Sequence, residues 1–314
     1  MRRIAFVFLI TLVGAGAVAE AASPPPQRIA PWVKIEGVKV GGLNPHIAYQ
    51  RLTAAYARPL RFALGTERWA RSPSSLGAVA DIDGAIAQAL DARAGEAVSI
   101  GVRVDPKRVQ RYVKSLDRRY RREPVDAELT GLVALRPAIA PEKVGREVRR
   151  GWMTRAIVNR LNSTVRRPLP LALRELEPKL KKAEFGPVIV IQRGANILAL
   201  YDGERAVRTF GIATGQAEFP TPLGTWTIVD KQRDPWWRPP DSDWAKDAKP
   251  IPPGPGNPLG TRWMGLDASA VGIHGTPDAA SIGYSASHGC IRMRVPEAEW
   301  LFEQVEIGTP VVIT

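Results

Sequence analysis

One cysteine, Cys290, and three histidines, His46, His274 and His288, are all that these 314 residues hold of the side chains most often used as nucleophile, base or soft-metal ligand. A lone thiol excludes an internal disulfide framework. With no second cysteine and no HExxH, the set His274, His288 and Cys290 lacks an obvious fourth ligand and the spacing of common zinc sites, so no metal or other cofactor is expected. Beyond residue 18 no apolar run is long enough to span a bilayer. Acidic residues are scarce in the front half. Residues 1–183 carry 33 lysines and arginines against 16 acids, residues 184–314 carry 11 against 15, and the chain totals +13.

The N-terminus has a charged start, Met1-Arg2-Arg3, an apolar stretch from Ile4 to Val18, and small-x-small sites at Ala17-Val18-Ala19 and Ala19-Glu20-Ala21. This pattern predicts a secretory signal over 1–21, with an uncleaved anchor as the alternative, and export to the wall, the periplasm or the outer side of the membrane. A Pro-rich spacer follows over 22–32. Export makes the basic front half a match for anionic wall polymer or lipid headgroups rather than nucleic acid.

From 33 to 183 the pattern is mixed, predicting an α+β domain. Val38-Lys39-Val40 runs into a Gly41-Gly42 turn, and Asn44-Pro45 and Asp105-Pro106 are cap-and-proline helix starts. Val98 to Val104 alternates like a strand, and Val148 to Leu161 has helical spacing. From 184 to 314 short apolar runs such as Val188-Ile189-Val190-Ile191, Ile197 to Tyr201, Ala206 to Phe210 and Trp226 to Val229 are separated by Gly, Asn and Asp turns. That predicts a mostly-β, β-sandwich-like domain with one helix over 296–305 and a closing strand at 311–313. Between Lys231 and Arg262 no period is visible. Eight prolines and Trp236, Trp237 and Trp244 lie there, with Trp263 just after, and the stretch reads as a lid or substrate wall.

Two of the three histidines cluster around the one thiol, in His274-Gly275-Thr276 and Ser287-His288-Gly289-Cys290-Ile291-Arg292-Met293. A thiolate nucleophile needs a base or a positive field beside it, because a free thiol is mostly protonated at neutral pH. His274 and His288 are both candidates for the base. The backbone N–H groups of Gly289, Cys290 and Ile291 are candidate oxyanion donors, with Gly289 allowing a tight turn. Arg292, two residues beyond Cys290, faces the same side of an extended chain and is placed to bind a substrate carboxylate or to pin the loop.

These two motifs resemble the signature of L,D-transpeptidases of the YkuD family. Phe219-Pro220-Thr221-Pro222-Leu223-Gly224-Thr225-Trp226, Asn257-Pro258-Leu259-Gly260 and the closing Gly308-Thr309-Pro310-Val311-Val312-Ile313 resemble further family segments in the same order. Residues 33–183 resemble more loosely a peptidoglycan-binding domain. The resemblance implies a cysteine-dependent acyltransferase of cell-wall biogenesis. Cys290 would cleave the L,D bond before the terminal D-alanine of a peptidoglycan tetrapeptide stem and pass the acyl group to an amine of a second stem, giving a 3→3 cross-link. It further implies His274 as base, the Gly275 carbonyl as its orienting group, His288 as a site-shaping or substrate-contacting residue, and sensitivity to carbapenem-type inhibitors; Ser287, Arg292, Trp236 and Trp237 are the other candidates for shaping the site or binding substrate. An L,D-carboxypeptidase, a sortase-like transpeptidase and a silent wall-binding protein are the alternatives.

Overall fold

The computed structural model describes residues 27–314, so the expected signal over 1–21 and the first half of the spacer lie outside the described residues. Among these residues no helix is long and apolar enough to cross a membrane. The chain divides into two compact units, 27–119 with 148–172, and 120–147 with 173–314.

The first unit is α+β, as expected. Its helices are α1 (Pro45–Ala57), α2 (Ile82–Asp91), α3 (Pro106–Tyr120) and α4 (Arg150–Leu161), set among two- and three-stranded sheets. The cap signals are real: Asn44 Oδ1 accepts from the Ile47 N–H at 2.9 Å, and Asp105 Oδ1 accepts from the Lys107 N–H at 2.9 Å. Ile29, Val33, Ile35, Leu52, Ile86 and Ala89 form its main core between α1, α2 and a small sheet.

The second unit is mostly β. Its main sheet holds, in chain order, β1 (Pro187–Gln192), β2 (Ile197–Asp202), β3 (Arg205–Gly211), β4 (Gly224–Arg233), β5 (Arg262–Leu266), β6 (Gly272–Thr276), β7 (Ile291–Arg294) and β8 (Pro310–Ile313). Their spatial order is β3-β2-β1-β8-β4-β5-β6-β7, and the β1–β8 and β6–β7 pairs are parallel. Residues Val188 to Ile191 are all buried because β1 is covered on both faces. Ile189 and Ile191 enter the large core with Leu198, Ile228, Ile273, Ile291 and the helix α5 (Val295–Gln304). Val188 and Val190 pack on Leu129 and Leu132 of a hairpin, Glu128–Val133 with Arg136–Ala140. A strand buried on both sides loses the polar alternation of a half-exposed one, which is why the sequence there is a continuous apolar run.

Candidate active site

The parallel register of β6 and β7 sets Ile273 opposite Ile291 and His274 opposite Arg292. Alternate residues of a strand face opposite sides. Ile273, Ile291 and Met293 therefore point into the core, and His274, Cys290 and Arg292 share the other side, where all three line one cleft of about 900 Å³. Ser287, His288, Trp236 and Trp237 line the same cleft. Of the residues singled out in the sequence, Gly275, Gly289 and Ile291 do not line it. Gly275 and Gly289 act there through their backbones, and Ile291 is a core position in the ladder.

His274 is buried, with Nδ1 2.6 Å from the Gly275 carbonyl oxygen. A carbonyl only accepts, so Nδ1 carries the proton and Nε2 is left as an acceptor. The Trp263 ring, on the neighbouring strand β5, lies 6.0 Å away at 29°. Gly272 is required beside it, because a Cβ there would come within 2.4 Å of that ring. Burial holds the imidazole down to about 4, with the hydrogen bond to Gly275 opposing the shift and the Arg292 charge adding to it.

Cys290 is half-buried on the cleft floor, its sulfur 3.5 Å from the Ala270 carbonyl. Burial pushes the thiol up, against a backbone hydrogen bond from Gly272 and the Arg292 charge. The sequence points to a thiolate. In the folded site desolvation favours the neutral form of both groups, so the resting pair is thiol and imidazole. The Arg292 side chain is 23% exposed and, among the described residues, its one ion pair is a loose 4.0 Å contact with Asp278, so its charge is largely available to the cleft.

Thr221 and Asn257, inside motif segments but given no role from sequence, hold the site together. Thr221 is buried; its Oγ1 donates to the Gly289 carbonyl at 2.9 Å and accepts from the Gly215 N–H at 2.9 Å. Ser287 Oγ donates to the Cys290 carbonyl at 2.6 Å and accepts from the Gly289 N–H at 3.2 Å. The Gly289 amide is thus engaged by Ser287, and tying the Gly289 carbonyl to Thr221 turns the Cys290 N–H to the opposite edge of that trans peptide. Gly289 has φ +108°, a conformation that glycine reaches readily.

The Trp-rich stretch is an ordered wall. Asn257 Nδ2 donates to the carbonyls of Pro235 at 2.8 Å and Pro252 at 3.1 Å, and Trp237 pairs with Ile251. Trp244 stacks on His288 at 4.1 Å and 17°, and Phe219 lies 5.0 Å from the same imidazole. His288 is therefore in contact with two rings, Trp244 of the cleft wall and Phe219, whereas His274 is the buried imidazole with a fixed tautomer.

Burial of a neutral His274 makes stability depend on pH. Between about 4 and the ordinary 6.5 the unfolded chain binds a proton that the native state refuses, so stability is complete above 6.5 and falls as pH drops toward 4, by about 3 kcal/mol in full. Urea unfolding at pH 7 and pH 4.5 should register most of that loss, and His274→Gln should remove it. If His274 is the base, the acid limb of kcat/KM should lie near pH 4, not near 6.5.

Residues 186–313 match the family described as "L,D-transpeptidase catalytic domain", YkuD, and residues 69–169 match one described as "Putative peptidoglycan binding domain". The chain is 33% identical over 133 residues to "Putative L,D-transpeptidase YqjB" of Bacillus subtilis (strain 168), covering 41% of this chain and 71% of that protein. It is 34% identical over 125 residues to "Putative L,D-transpeptidase YkuD" of the same organism, covering 40% of this chain and 64% of that one. Among solved structures, the catalytic domain of the E. faecium L,D-transpeptidase acylated by ertapenem aligns at 27% identity and TM-score 0.34, covering 41% of this chain and 97% of that one.

Proposed function

This chain belongs to the YkuD family of L,D-transpeptidases, and from that footing we propose that it is a cysteine acyltransferase acting on peptidoglycan stem peptides. The observation that carries the reading is the pairing, in one cleft, of the chain's sole thiol with an imidazole kept neutral by burial and fixed with Nε2 free to accept.

The stem peptide binds with the carbonyl of its L,D bond over Cys290. The thiol proton passes to His274 Nε2 as sulfur attacks, so charge separates only as the new C–S bond forms. The carbonyl oxygen becomes an oxyanion, met by the Cys290 N–H that the Thr221 tether turns outward. As the tetrahedral centre collapses, the C–N bond breaks and imidazolium returns its proton to the departing D-alanine amine. A thioester remains. The amine of a second stem then attacks it, His274 takes the proton from that nitrogen and returns it to sulfur, and the product is a 3→3 cross-link. Arg292 supplies a positive field that favours the thiolate-like transition state. The wall of Trp236, Trp237 and Trp244 would shelter the thioester from water. The basic front half would meet anionic wall polymer, and export to the wall side of the membrane would bring the enzyme to its substrate.

Incubation with disaccharide-tetrapeptide and mass analysis of the products tests this reading. Cross-linked dimer lacking one D-alanine is expected. Tripeptide alone would mean that water is the acceptor and the enzyme an L,D-carboxypeptidase; unchanged substrate would leave a silent binding protein. Shortening the loop between Pro240 and Lys249 should raise tripeptide relative to dimer, and an unchanged ratio would count against the shelter.

A further inference from the structure

A second large groove, about 1200 Å³, lies wholly in the first unit. Over 27–119 and 148–172 that unit holds 22 lysines and arginines against eight acids. Arg51, Arg58, Arg61 and Arg166 line the groove, with Glu36 as its one acidic residue. None of the four arginines is in an ion pair among the described residues. Arg166 is a fixed charge: its guanidinium donates to the Tyr56 carbonyl at 2.7 Å and to the Arg58 carbonyl at the end of α1, and it stacks 4.6 Å from the Tyr56 ring. Arg51 is steadied by the Lys39 carbonyl at 3.1 Å, while Arg58 and Arg61 are exposed. Arg51 and Arg58 are seven residues apart, so their backbones are spaced about 10 Å along α1. The groove also presents Ile47 and Val165, 40% and 66% exposed. No aromatic ring lines it, so it offers no stacking plane for a neutral sugar.

We propose that this groove is the binding site for a linear polyanion carrying repeated phosphate or carboxylate groups. Guanidinium forks pair with either group in a bidentate manner, and charges fixed along a groove select a ligand whose own charges repeat. The groove deepens the reading that the basic front half meets anionic wall polymer, and it rests on that reading. Of its lining residues only Thr164, Val165 and Arg166 fall within the stretch that matches the peptidoglycan-binding family; the rest lie before it.

The test uses the full chain with two labelled probes, inorganic polyphosphate and poly-glutamate, titrated over a range of salt. Arg58→Gln with Arg61→Gln keeps the side-chain stems and should weaken binding by about tenfold at low salt. It should also reduce the salt slope by about two for the phosphate chain. Lys107→Gln with Arg111→Gln, an equal charge loss on α3, should leave binding near wild type. The preferred probe identifies the source of the anionic groups. If the wild type binds neither probe, both this site and the wider reading fail. If it binds but the groove variant matches it, or the α3 variant loses as much, the wider attraction stands and the groove is not its site. Unchanged thermal unfolding of the groove variant separates lost binding from lost fold.

Discussion

Cys290→Ala should lower turnover by at least about 10⁴-fold and leave the fold in place. No other thiol exists in the chain to take over, and a covalent route cannot proceed without its nucleophile. The loop that carries the residue is held by groups other than the sulfur. Ser287 Oγ binds the Cys290 carbonyl, Thr221 binds the Gly289 carbonyl, and Ile291 is anchored in the core. The sulfur's own contacts are weak ones to backbone, the Ala270 carbonyl at 3.5 Å and the Gly272 amide. Removing it should therefore cost no more than about 1 kcal/mol. Near-normal denaturant unfolding together with absent turnover is the expected pair of results. Substantial residual turnover would refute the nucleophile.

Thr221→Val should have the second largest effect, and on two properties at once. Valine keeps the shape and deletes the hydroxyl, leaving the Gly215 N–H and the Gly289 carbonyl without a buried partner. Two such orphans cost about 2–4 kcal/mol together. The released Gly289–Cys290 peptide is then free to rotate, since its glycine tolerates both signs of φ, and the oxyanion donor is no longer held. Loss of one such donor is worth about 10²-fold in the chemical step. Thr221→Ser restores both hydrogen bonds and should recover most of the rate. Acylation by a carbapenem, followed by intact mass against time, separates positioning from stability. Equal acylation rates for the Val and Ser variants would exclude a positioning role, whatever the melting curves show.

Much of the catalytic unit was legible because its signals are local. Val188 to Ile191 reads as a strand without its partners, and Cys290 and Arg292 share a side by simple alternation. The two caps, Asn44-Pro45 and Asp105-Pro106, carry their own chemistry. The hairpin at 128–140 was not legible. Its turn places Ala134 at φ 50° and Leu135 at φ 62°, without the Asn-Gly pair that advertises such a turn. The cost of that turn is met from elsewhere, partly by Tyr201, whose hydroxyl donates to the Leu135 carbonyl at 3.3 Å. Helix α2 is not legible either, having Gly84 in its first turn and no proline at its start. Strand β4 was lost at its end, because Lys231 and Arg233 look like loop residues. In the fold both lie over the Phe302 ring, at 4.3 and 5.5 Å, and long cationic stems cover apolar surface there as a leucine would.

The site divides in the same way. His274 and Cys290 stand out because histidine and cysteine are scarce in this chain. Thr221 does not, since one buried threonine that satisfies backbone 68 residues away looks like any other. Its one signal was its place inside a motif segment. The state of the thiol was illegible for a different reason. A neighbouring histidine and arginine argue for a thiolate, and only the depth of burial, which is a tertiary property, reverses the balance in the resting site.

The central claim is a bond between one sulfur and a stem-peptide carbonyl. Brief incubation of the enzyme with tetrapeptide stem, acid quenching and peptide mapping by mass spectrometry read it directly. A mass increase equal to the stem less its terminal D-alanine, confined to the fragment that contains Cys290, is the predicted result. An adduct on another fragment, or steady turnover with no adduct on any, would contradict it.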